Sequence, residues 1–524
     1  MPRPDGFHVY DTTLRDGAQR EGISYSVTDK LTVARLLDDY GVGFIEGGWP
    51  GAMPKDTEFF QRARTELTLR NAELVAFGAT RKAGVRVQDD LQVRALLDSQ
   101  APVITVVAKS DVRHVTEALR TTNEENLAMV TDTVAFLVGE GRRVFVDMEH
   151  FFDGYKHDAD YGIRLLVAAA EAGASVGVMC DTNGGMLPHG MFEIVSDVKA
   201  RSGVRLGIHC QDDTGCAVAN SVSAVEAGVT HVQCTANGYG ERTGNADLVV
   251  VVPNLQLKLG IECLPDGRLA DTVRVSHAIA EIANIAPNTH QPYAGWASFA
   301  HKAGLHASAL KVNAELYNHI DPAVVGNEQN VLVTEMAGRA SIELKGAELG
   351  HDLSTSPEIV TRVVEQVKAL EAQGWTFEAA DASFELLIFD SQGVEVAFTV
   401  ESWRTIVEQD DAGTVKTEAT VKIHVGGERI ISTAEGNGPV NALDRAMRRA
   451  IVQAYPDLDT LRLVDYKVRI LDEKSGTGAK TRVLIGTSDG KESWSTVGVH
   501  ENVIAASWRA LEDAVKYGLL RRDA

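Results

Sequence analysis

The sequence contains few cysteines and no pair of them at the spacing of a metal-binding or redox motif. Its five cysteines are odd in number and none lies in a Cys-x-x-Cys arrangement. This pattern indicates a reducing compartment and not a disulfide framework. No charged and then apolar segment opens the sequence, and no apolar run approaches the length that crosses a bilayer. We therefore expect a cytoplasmic protein with no membrane partner.

Positive charge is also scarce. The chain has 51 Lys and Arg against 73 Asp and Glu, a formal net charge of -22, which argues against a broad surface for nucleic acid. His-Glu-x-x-His, P-loop and dinucleotide-binding motifs are absent too. What is present is a chain of 524 residues with 44% hydrophobic content, enough for two or three domains and a large core.

Short apolar, β-branched runs alternate with helix-like segments through the first half of the chain. The runs cover residues 7–14, 44–47, 74–77, 103–107, 144–148, 175–180, 206–208 and 231–234. Thr28 is positioned to cap the first helix, which should end at Gly41. Eight strands alternating with helices predict an α/β fold, a closed (β/α)8 TIM barrel with its active site where the strands end.

Polar side chains cluster at the ends of these predicted strands. In chain order they are Arg15 and Asp16, Glu46, Asp147 and Glu149, Asp181 and Thr182, His209 and Gln211, and Asn245 beyond the last strand. Any one of them could be an ordinary solvated turn residue. Their joint placement on one rim of a barrel predicts a catalytic or binding site.

A divalent metal site is one interpretation of part of this set. His209 and Gln211 are two residues apart on a predicted strand, so their side chains point the same way. With Asp16 and Asn245 they offer imidazole nitrogen, amide oxygen and carboxylate oxygen, a set suited to a hard or borderline ion. Asp213 is an alternative ligand because the same period also points it inward.

Three longer motifs carry a family resemblance. Residues 11–19 (Asp-Thr-Thr-Leu-Arg-Asp-Gly-Ala-Gln), the His209-x-Gln211-x-Asp213 group and residues 240–246 (Gly-Glu-Arg-Thr-Gly-Asn-Ala) resemble the metal-dependent Claisen-condensing barrel enzymes. That family includes isopropylmalate, homocitrate and citramalate synthases and hydroxymethylglutaryl-CoA lyases. Residues 46–56 and 149–156 look most like those of citramalate synthases, and the resemblance extends over nearly the whole chain.

The resemblance implies roles for these residues. Asp16, His209 and Asn245 would be metal ligands, and Gln211 a fourth at a position where many family members have histidine. Because a glutamine oxygen suits Mg²⁺ or Mn²⁺ better than Zn²⁺, the first two are favoured and zinc is the alternative. The implied substrate-binding residues are Arg15, Gln19, Glu46 and Thr182. The implied catalytic residues are Arg15, Glu149, His301 and Tyr317, the last two reaching into the barrel of the partner subunit in a homodimer.

The rest of the chain predicts two further domains. A helix over residues 271–286 leads into a segment that contains His301 and His306, and another helix ends near Leu370. Beyond Ala380 an internal repeat of strands and then a helix occurs twice, with strands predicted at 385–389, 419–425, 466–471 and 481–486. We expect a catalytic barrel over 1–270, a mostly helical linker over 271–380, and a C-terminal α+β pseudo-repeat domain for regulation or dimerisation over 381–524.

The resemblance implies a synthase that condenses acetyl-CoA with pyruvate to citramalate in isoleucine biosynthesis, with isoleucine as its effector. The nearest alternative is 2-isopropylmalate synthase, which acts on 2-oxoisovalerate, although Trp49 suggests a tighter pocket. Homocitrate synthase would need a further cation for its substrate. From a different class, a degenerate barrel that only senses an amino acid is the alternative, and a C-terminal module that dimerises without binding a ligand is another.

Overall fold

The computed structural model describes residues 6–302, 304–334, 336–395, 398–471, 476 and 478–523. The chain divides into two compact units, the first made of Met1–Phe299 and Pro322–Glu328 and the second of Ala300–Asp321 and Gln329–Ala524. Among the described residues, no helix has the length and hydropathy needed to cross a membrane.

The first unit is built on a closed barrel of eight parallel strands. They are β1 (His8–Asp11), β2 (Phe44–Gly48), β3 (Glu73–Ala79), β4 (Val103–Lys109), β5 (Arg143–Glu149), β6 (Val176–Asp181), β7 (Leu206–Cys210) and β8 (His231–Cys234). Each strand pairs with the next, and β8 closes the ring by pairing with β1, with Gln233 opposite Tyr10. The eight predicted strands and the (β/α)8 fold are therefore confirmed.

Helices connect and follow the strands. They are α1 (Val27–Tyr40), α2 (Pro54–Glu66), α3 (Leu91–Asp98), α4 (Asn123–Gly139), α5 (Phe151–Glu171), α6 (Pro188–Ser202), α7 (Ala217–Glu226), α8 (Leu248–Pro253) and α9 (Thr272–Ala283). The predicted cap of α1 at Thr28 is wrong. Ser26 caps it instead, because its hydroxyl accepts from the Asp29 N–H at 3.1 Å while the Asp29 carboxylate accepts from the Ser26 N–H at 2.8 Å, a reciprocal pair that satisfies two N–H groups. The helix ends at Gly41 as predicted.

Buried side chains from the first six strands pack together inside the barrel. This core contains Tyr10, Phe44, Val75, Val103, Phe145, Val176, Val178 and Cys180. The Phe44 and Phe145 rings meet edge to face at 5.2 Å, within the range that aromatic pairs favour. These side chains occupy much of the barrel interior, and in this fold ligands bind where the strands end.

The second unit contains short strands, helices and two antiparallel sheets. In chain order its elements are β9 (Ala300–His301), α10 (Gly304–Val312), β10 (Asn330–Val331), α11 (Arg339–Glu348), α12 (Pro357–Glu371), α13 (Asp381–Gln392), β11 (Phe398–Gln409), β12 (Val415–Val425), β13 (Glu428–Gly436), α14 (Pro439–Ala454), β14 (Arg462–Ile470), β15 (Thr481–Ser488), β16 (Ser493–His500) and α15 (Val503–Asp523). Two sheets of three strands, each followed by a helix, confirm the α+β pseudo-repeat.

One predicted strand of the repeat is wrong. Residues 385–389 lie inside helix α13. Phe384 and Ile388 are both fully buried in the same core, and a spacing of four residues places two side chains on one face of a helix. This short apolar run therefore has the period of a helix. It is too short for the sequence to distinguish a helical period from the alternation of a strand.

The helices before the sheets share a core with the second sheet. Val360 of α12 and Phe384 of α13 belong to the same buried cluster as Val497 and Val499 of β16. Ser383 ties these elements further, because its hydroxyl accepts from the Val497 N–H at 3.0 Å. The linker helices and the C-terminal sheet are thus packed as one body within this unit.

Candidate active site

A cavity of about 420 Å³ opens among the carboxyl ends of the barrel strands. Its walls are formed by Arg15, Asp16, Gln19, Trp49, Phe77, Ala79, Val107, Lys109, Asp147, Glu149, Cys180, Thr182, His209, Gln211, Glu241 and Arg242. Most of the barrel residues that the strand-end pattern and the family resemblance singled out are among them. The structure therefore brings together side chains that are far apart in the chain, such as Asp16 and Gln211, which are separated by 195 positions.

Asp16, His209 and Gln211 meet at one side of this cavity. His209 Nε2 lies 3.3 Å from Asp16 Oδ2. Gln211 Nε2 lies 3.5 Å from the same carboxylate oxygen and 3.4 Å from His209 Nε2. Asn245 joins them through a backbone bridge to Gln211. All four residues are at most 6% exposed, so they form a compact, buried polar group.

Two oxygens of this group lack a hydrogen-bond partner among the described residues, Gln211 Oε1 and Asn245 Oδ1. A buried polar oxygen without a partner is costly in free energy. Burial lowers the pKa of His209 below its usual range, so at neutral pH the ring is uncharged and offers a lone pair. No cluster of three or more His, Cys, Asp and Glu suited to a metal occurs in the described part of the chain. The two amide oxygens would therefore have to complete a divalent cation site with Asp16 and His209, and they fit that role.

Arg15 is held beside this group by an anion and an aromatic ring. Its Nε donates to Glu46 Oε1 at 2.5 Å, and its Nη1 lies 3.7 Å from Asp16 Oδ2. The centre of the guanidinium is 3.9 Å from the centroid of the Phe77 ring. Burial acts to lower the pKa of Arg15, but the charges of Glu46 and Asp16 outweigh it and raise that pKa. The cavity thus contains a fixed positive charge next to the candidate cation site.

Glu46 lies behind Arg15 and does not face the cavity. Its side chain is fully buried, and its carboxylate accepts from the hydroxyls of Thr12, at 2.6 Å, and Tyr10, as well as from Arg15. These three donors hold the carboxylate behind Arg15, away from the cavity wall, and direct contact of Glu46 with substrate stays a prediction. In this structure Glu46 positions Arg15.

Glu149 and Thr182 face the cavity from neighbouring strand ends. The Glu149 carboxylate forms an ion pair with Lys109, which stands opposite it in the register of β4 and β5. Thr182 Oγ1 accepts from the His150 N–H at 2.8 Å, so its own proton is free to be donated to a ligand. His150 has a left-handed backbone, with φ of 58°, an uncommon conformation that recurs at functional sites. The sequence did not predict the ion pair of Glu149 with Lys109 or the turn at His150. Both contacts join neighbouring strands, and their register is seen only in the folded structure.

The loop after β8 presents Asn245 through a tight turn. Gly244 has φ of 98°, and a Cβ there would lie 2.0 Å from the Gly238 carbonyl oxygen. The Asn245 N–H donates to that same carbonyl at 3.1 Å, so the turn needs glycine. Asp213, the alternative ligand, is instead bound by Arg242 through contacts of 2.8 and 2.9 Å. It takes no part in the group around Asp16, and that alternative is corrected.

His301 and Tyr317 belong to the second unit, where their ring centroids are 6.3 Å apart. His301 Nε2 lies 2.9 Å from Asn318 Oδ1, and His306 stacks on Tyr317 at 4.1 Å. Ala303, between the two histidines, lies outside the described residues. The structure thus gathers these three rings into one cluster, while their placement at the barrel of a partner subunit stays a prediction.

Comparison with known proteins identifies the family. Residues 7–284 match the HMGL-like family, residues 294–374 the homocitrate synthase post-HMGL domain-like family, and residues 378–519 the LeuA allosteric (dimerisation) domain. An (R)-citramalate synthase of Streptomyces coelicolor is 64% identical over 99% of this chain and 97% of its own length. One from Aquifex aeolicus is 47% identical over 98% of both chains, and a 2-isopropylmalate synthase of Methanocaldococcus jannaschii is 29% identical over 99% of this chain and 96% of its own.

The family match covers more than half of the chain, and two relatives exceed 45% identity over nearly their whole length. The family resemblance read from the motifs is therefore confirmed. HMGL-like enzymes are typically metal-dependent, in keeping with the polar group around Asp16, and a LeuA domain implies a dimer and an effector. The chain belongs to the HMGL-like family and, within it, to the (R)-citramalate synthases that carry a LeuA allosteric domain.

Proposed function

We propose that this protein condenses acetyl-CoA with pyruvate to give (R)-citramalate and free CoA, in isoleucine biosynthesis. The observation that carries the proposal is the fixed Arg15 cation beside the buried group of Asp16, His209, Gln211 and Asn245. A keto acid presents a carboxylate and a ketone oxygen, and this arrangement offers a counterpart to both. The identity of 64% to a citramalate synthase over nearly full length supports the same activity.

The four-residue group would hold a divalent cation, with magnesium or manganese favoured over zinc. Gln211 contributes an amide oxygen where imidazole would favour the softer ion. When bound, such a cation supplies Lewis acidity to the ketone of the keto acid. The support for this site is the pair of amide oxygens without partners among the described residues, together with the neutral imidazole of His209.

Arg15 and Thr182 would bind and orient the substrate. The positive charge of Arg15 stabilises the negative charge that develops on the ketone oxygen when the carbonyl is attacked, and loss of one such group typically costs ~10² to 10³ in rate. Thr182 accepts from the His150 N–H and so has its proton left to donate to the substrate carboxylate. Gln19 shares the cavity wall with Arg15 and would add a further hydrogen bond.

The proton of the acetyl methyl group would be removed by His301 of the partner subunit, assisted by Glu149 and by Tyr317 of the partner subunit. The enolate then attacks the ketone carbon, and hydrolysis of the thioester releases CoA. Lys109 neutralises Glu149 and would keep it in place during these steps. The family resemblance supports this assignment, together with the cluster that the His301 and Tyr317 rings form within one unit.

The cavity wall favours a small keto acid. Trp49 is fixed by its Nε1, which donates to Gln92 Oε1 at 2.6 Å, and by an edge contact with the Phe77 ring at 5.3 Å. A large side chain locked between two partners limits the space next to Arg15. This supports pyruvate over 2-oxoisovalerate, the substrate expected if the protein were a 2-isopropylmalate synthase.

The chain would be organised into three domains, over 1–270, 271–380 and 381–524. The protein would be a cytoplasmic homodimer that responds to isoleucine. The family matches, which change near residues 284–294 and 374–378, support boundaries close to these. The LeuA domain supports both dimerisation and an effector.

The test is release of thiol from acetyl-CoA by the purified protein with magnesium or manganese. Pyruvate, 2-oxoisovalerate and 2-oxoglutarate are compared, each with and without isoleucine or leucine. We expect release with pyruvate that isoleucine suppresses, and loss of it in Arg15→Ala but not in the exposed control Arg86→Ala. Preference for 2-oxoisovalerate would assign a 2-isopropylmalate synthase, and no release from folded, metal-loaded protein would contradict the proposed catalysis.

A further inference from the structure

Gln233 lies between His209 and Asp147 in the interior of the barrel. It projects from β8 and is 1% exposed. Its Oε1 is 2.9 Å from His209 Nδ1, and its Nε2 donates to Asp147 Oδ1 at 2.8 Å. The amide thus joins side chains from three strands, β5, β7 and β8, without itself lining the cavity.

With the Gln233 amide oriented as in this structure, these two contacts place the proton of His209 on Nδ1. The NH₂ group of Gln233 is engaged by Asp147, so the carbonyl oxygen faces the imidazole. A carbonyl oxygen only accepts, so His209 Nδ1 must be the donor. In a neutral imidazole the other nitrogen, Nε2, then carries the lone pair.

A second contact leads to the same tautomer. The NH₂ group of Gln211 lies 3.4 Å from His209 Nε2, and an amide NH₂ can only donate. His209 Nε2 is therefore in the position of an acceptor, 3.3 Å from Asp16 Oδ2. The nitrogen with the lone pair is the one that faces the candidate cation site.

We propose that Gln233 is a positioning residue for the cation site, which selects the Nδ1–H tautomer of His209 and aims Nε2 at the cation. The inference rests on the proposed cation site and extends it to a residue that none of the roles above includes. Without the acceptor on Nδ1, the proton can move to Nε2, where Asp16 Oδ2 would accept it. His209 would then have no lone pair for a cation, and its ring would lose a contact that fixes its angle.

The tautomer is measured on the metal-free wild-type protein, labelled with ¹⁵N in histidine, by correlation of the ring nitrogens with the ring protons. The His209→Asn variant identifies the signals of His209 by their loss. We expect a protonated Nδ1 and an unprotonated Nε2. A protonated Nε2 overturns the proposal, and this result is independent of catalysis, of substrate and of whether any Gln233 variant folds.

Metal affinity is the second measurement, by calorimetric titration of the full chain with Mn²⁺. Loss of the partner of a ligating histidine typically weakens metal binding ~10- to 100-fold, so we expect Gln233→Leu to raise the Kd for Mn²⁺ by that factor. Gln61→Leu, a matched change at an exposed position of α2, should leave it unchanged. Wild-type affinity in a folded Gln233→Leu overturns the positioning role. Absence of Mn²⁺ binding by the wild type overturns the cation site and this role together, whereas tight Mn²⁺ binding without thiol release contradicts only the proposed reaction.

Discussion

Arg15 and Glu46 form a buried ion pair in which the Arg15 Nε lies 2.5 Å from Glu46 Oε1. Glu46 in turn accepts from the hydroxyls of Tyr10 and Thr12, so the anion that holds Arg15 is itself held from two directions. The guanidinium therefore has a fixed orientation before any substrate arrives. Catalytic charge that is fixed in advance needs no reorganisation during reaction, and this is the condition under which it is most effective.

The first prediction concerns this anchor. Glu46→Gln keeps the size of the side chain but removes the charge that holds Arg15, so we expect kcat with pyruvate to fall by roughly 10². The change is measured by thiol release, with circular dichroism to show an intact fold. Glu58→Gln, at a largely exposed position of α2, is the matched control, and a Glu46→Gln enzyme with wild-type kcat would show that Arg15 needs no anchor.

The second prediction concerns metal preference at Gln211. Gln211→His replaces an amide oxygen by an imidazole nitrogen, and nitrogen ligands favour zinc over magnesium. We expect the affinity for Zn²⁺ to rise and that for Mg²⁺ to fall, each by about tenfold or more. Titration of metal-free protein with each ion measures this, and equal preference in wild type and variant would place Gln211 outside the ligand set.

The third prediction concerns the turn that presents Asn245. In Gly244→Ala the new Cβ would lie 2.0 Å from the Gly238 carbonyl oxygen at a left-handed φ, so the loop must move. We expect Mn²⁺ affinity to fall at least tenfold because Asn245 is displaced. Gly139→Ala, where nothing lies within 4 Å of the added atom, should bind Mn²⁺ as the wild type does, and wild-type affinity in both variants would separate Asn245 from the cation.

The fourth prediction concerns acid stability. His231 is fully buried, 3.3 Å from His8 between their Nδ1 atoms. Burial, followed by the charges of His8, Arg205 and Arg143, lowers its pKa well below the usual 6.5. The unfolded chain therefore binds a proton that the folded chain does not, so this contribution to stability is intact above pH 6.5 and is lost as the pH falls. At 1.36 kcal/mol per pH unit, the loss by pH 5 is at most about 2 kcal/mol.

His231→Leu removes the titrating group. We expect its free energy of unfolding, measured with urea at pH 7 and at pH 5, to depend less on pH than that of the wild type, by at most about 2 kcal/mol. The quantity compared is the change in the free energy of unfolding between the two pH values, so any pH-independent cost of the substitution cancels. An unchanged pH dependence would mean that His231 binds a proton equally in both states.

The barrel and its rim were predictable because they depend on local pattern. Buried parallel strands are short apolar runs that alternate with amphipathic helices, and the carboxyl ends of such strands converge. Asp16, His209 and Gln211 could therefore be grouped from chain position alone. The placement of His301 and Tyr317 and the three domain boundaries stay predictions.

Other features depend on contacts across the barrel that no local pattern contains. Glu46 lies in β2 and Arg15 follows β1, and only the packed structure shows that Glu46 is buried behind Arg15. Gln233 belongs to no sequence motif, and its contact with His209 follows from the register of β8 against β7. The error at residues 385–389 has a different origin, since five residues are too few to separate a period of two from one of 3.6.

The closure of the barrel has a consequence for how the chain completes its folding. Strand β1 pairs with β8, more than 220 residues later, and Asp16 follows β1 while Asn245 follows β8. The polar group around Asp16 thus spans the seam where the two ends of the barrel are joined, and it does not exist until the last strand has docked. Any ion that binds there stabilises the closed ring over every opened form by mass action, so the ion would protect the first and last strands from exchanging their amide hydrogens with solvent.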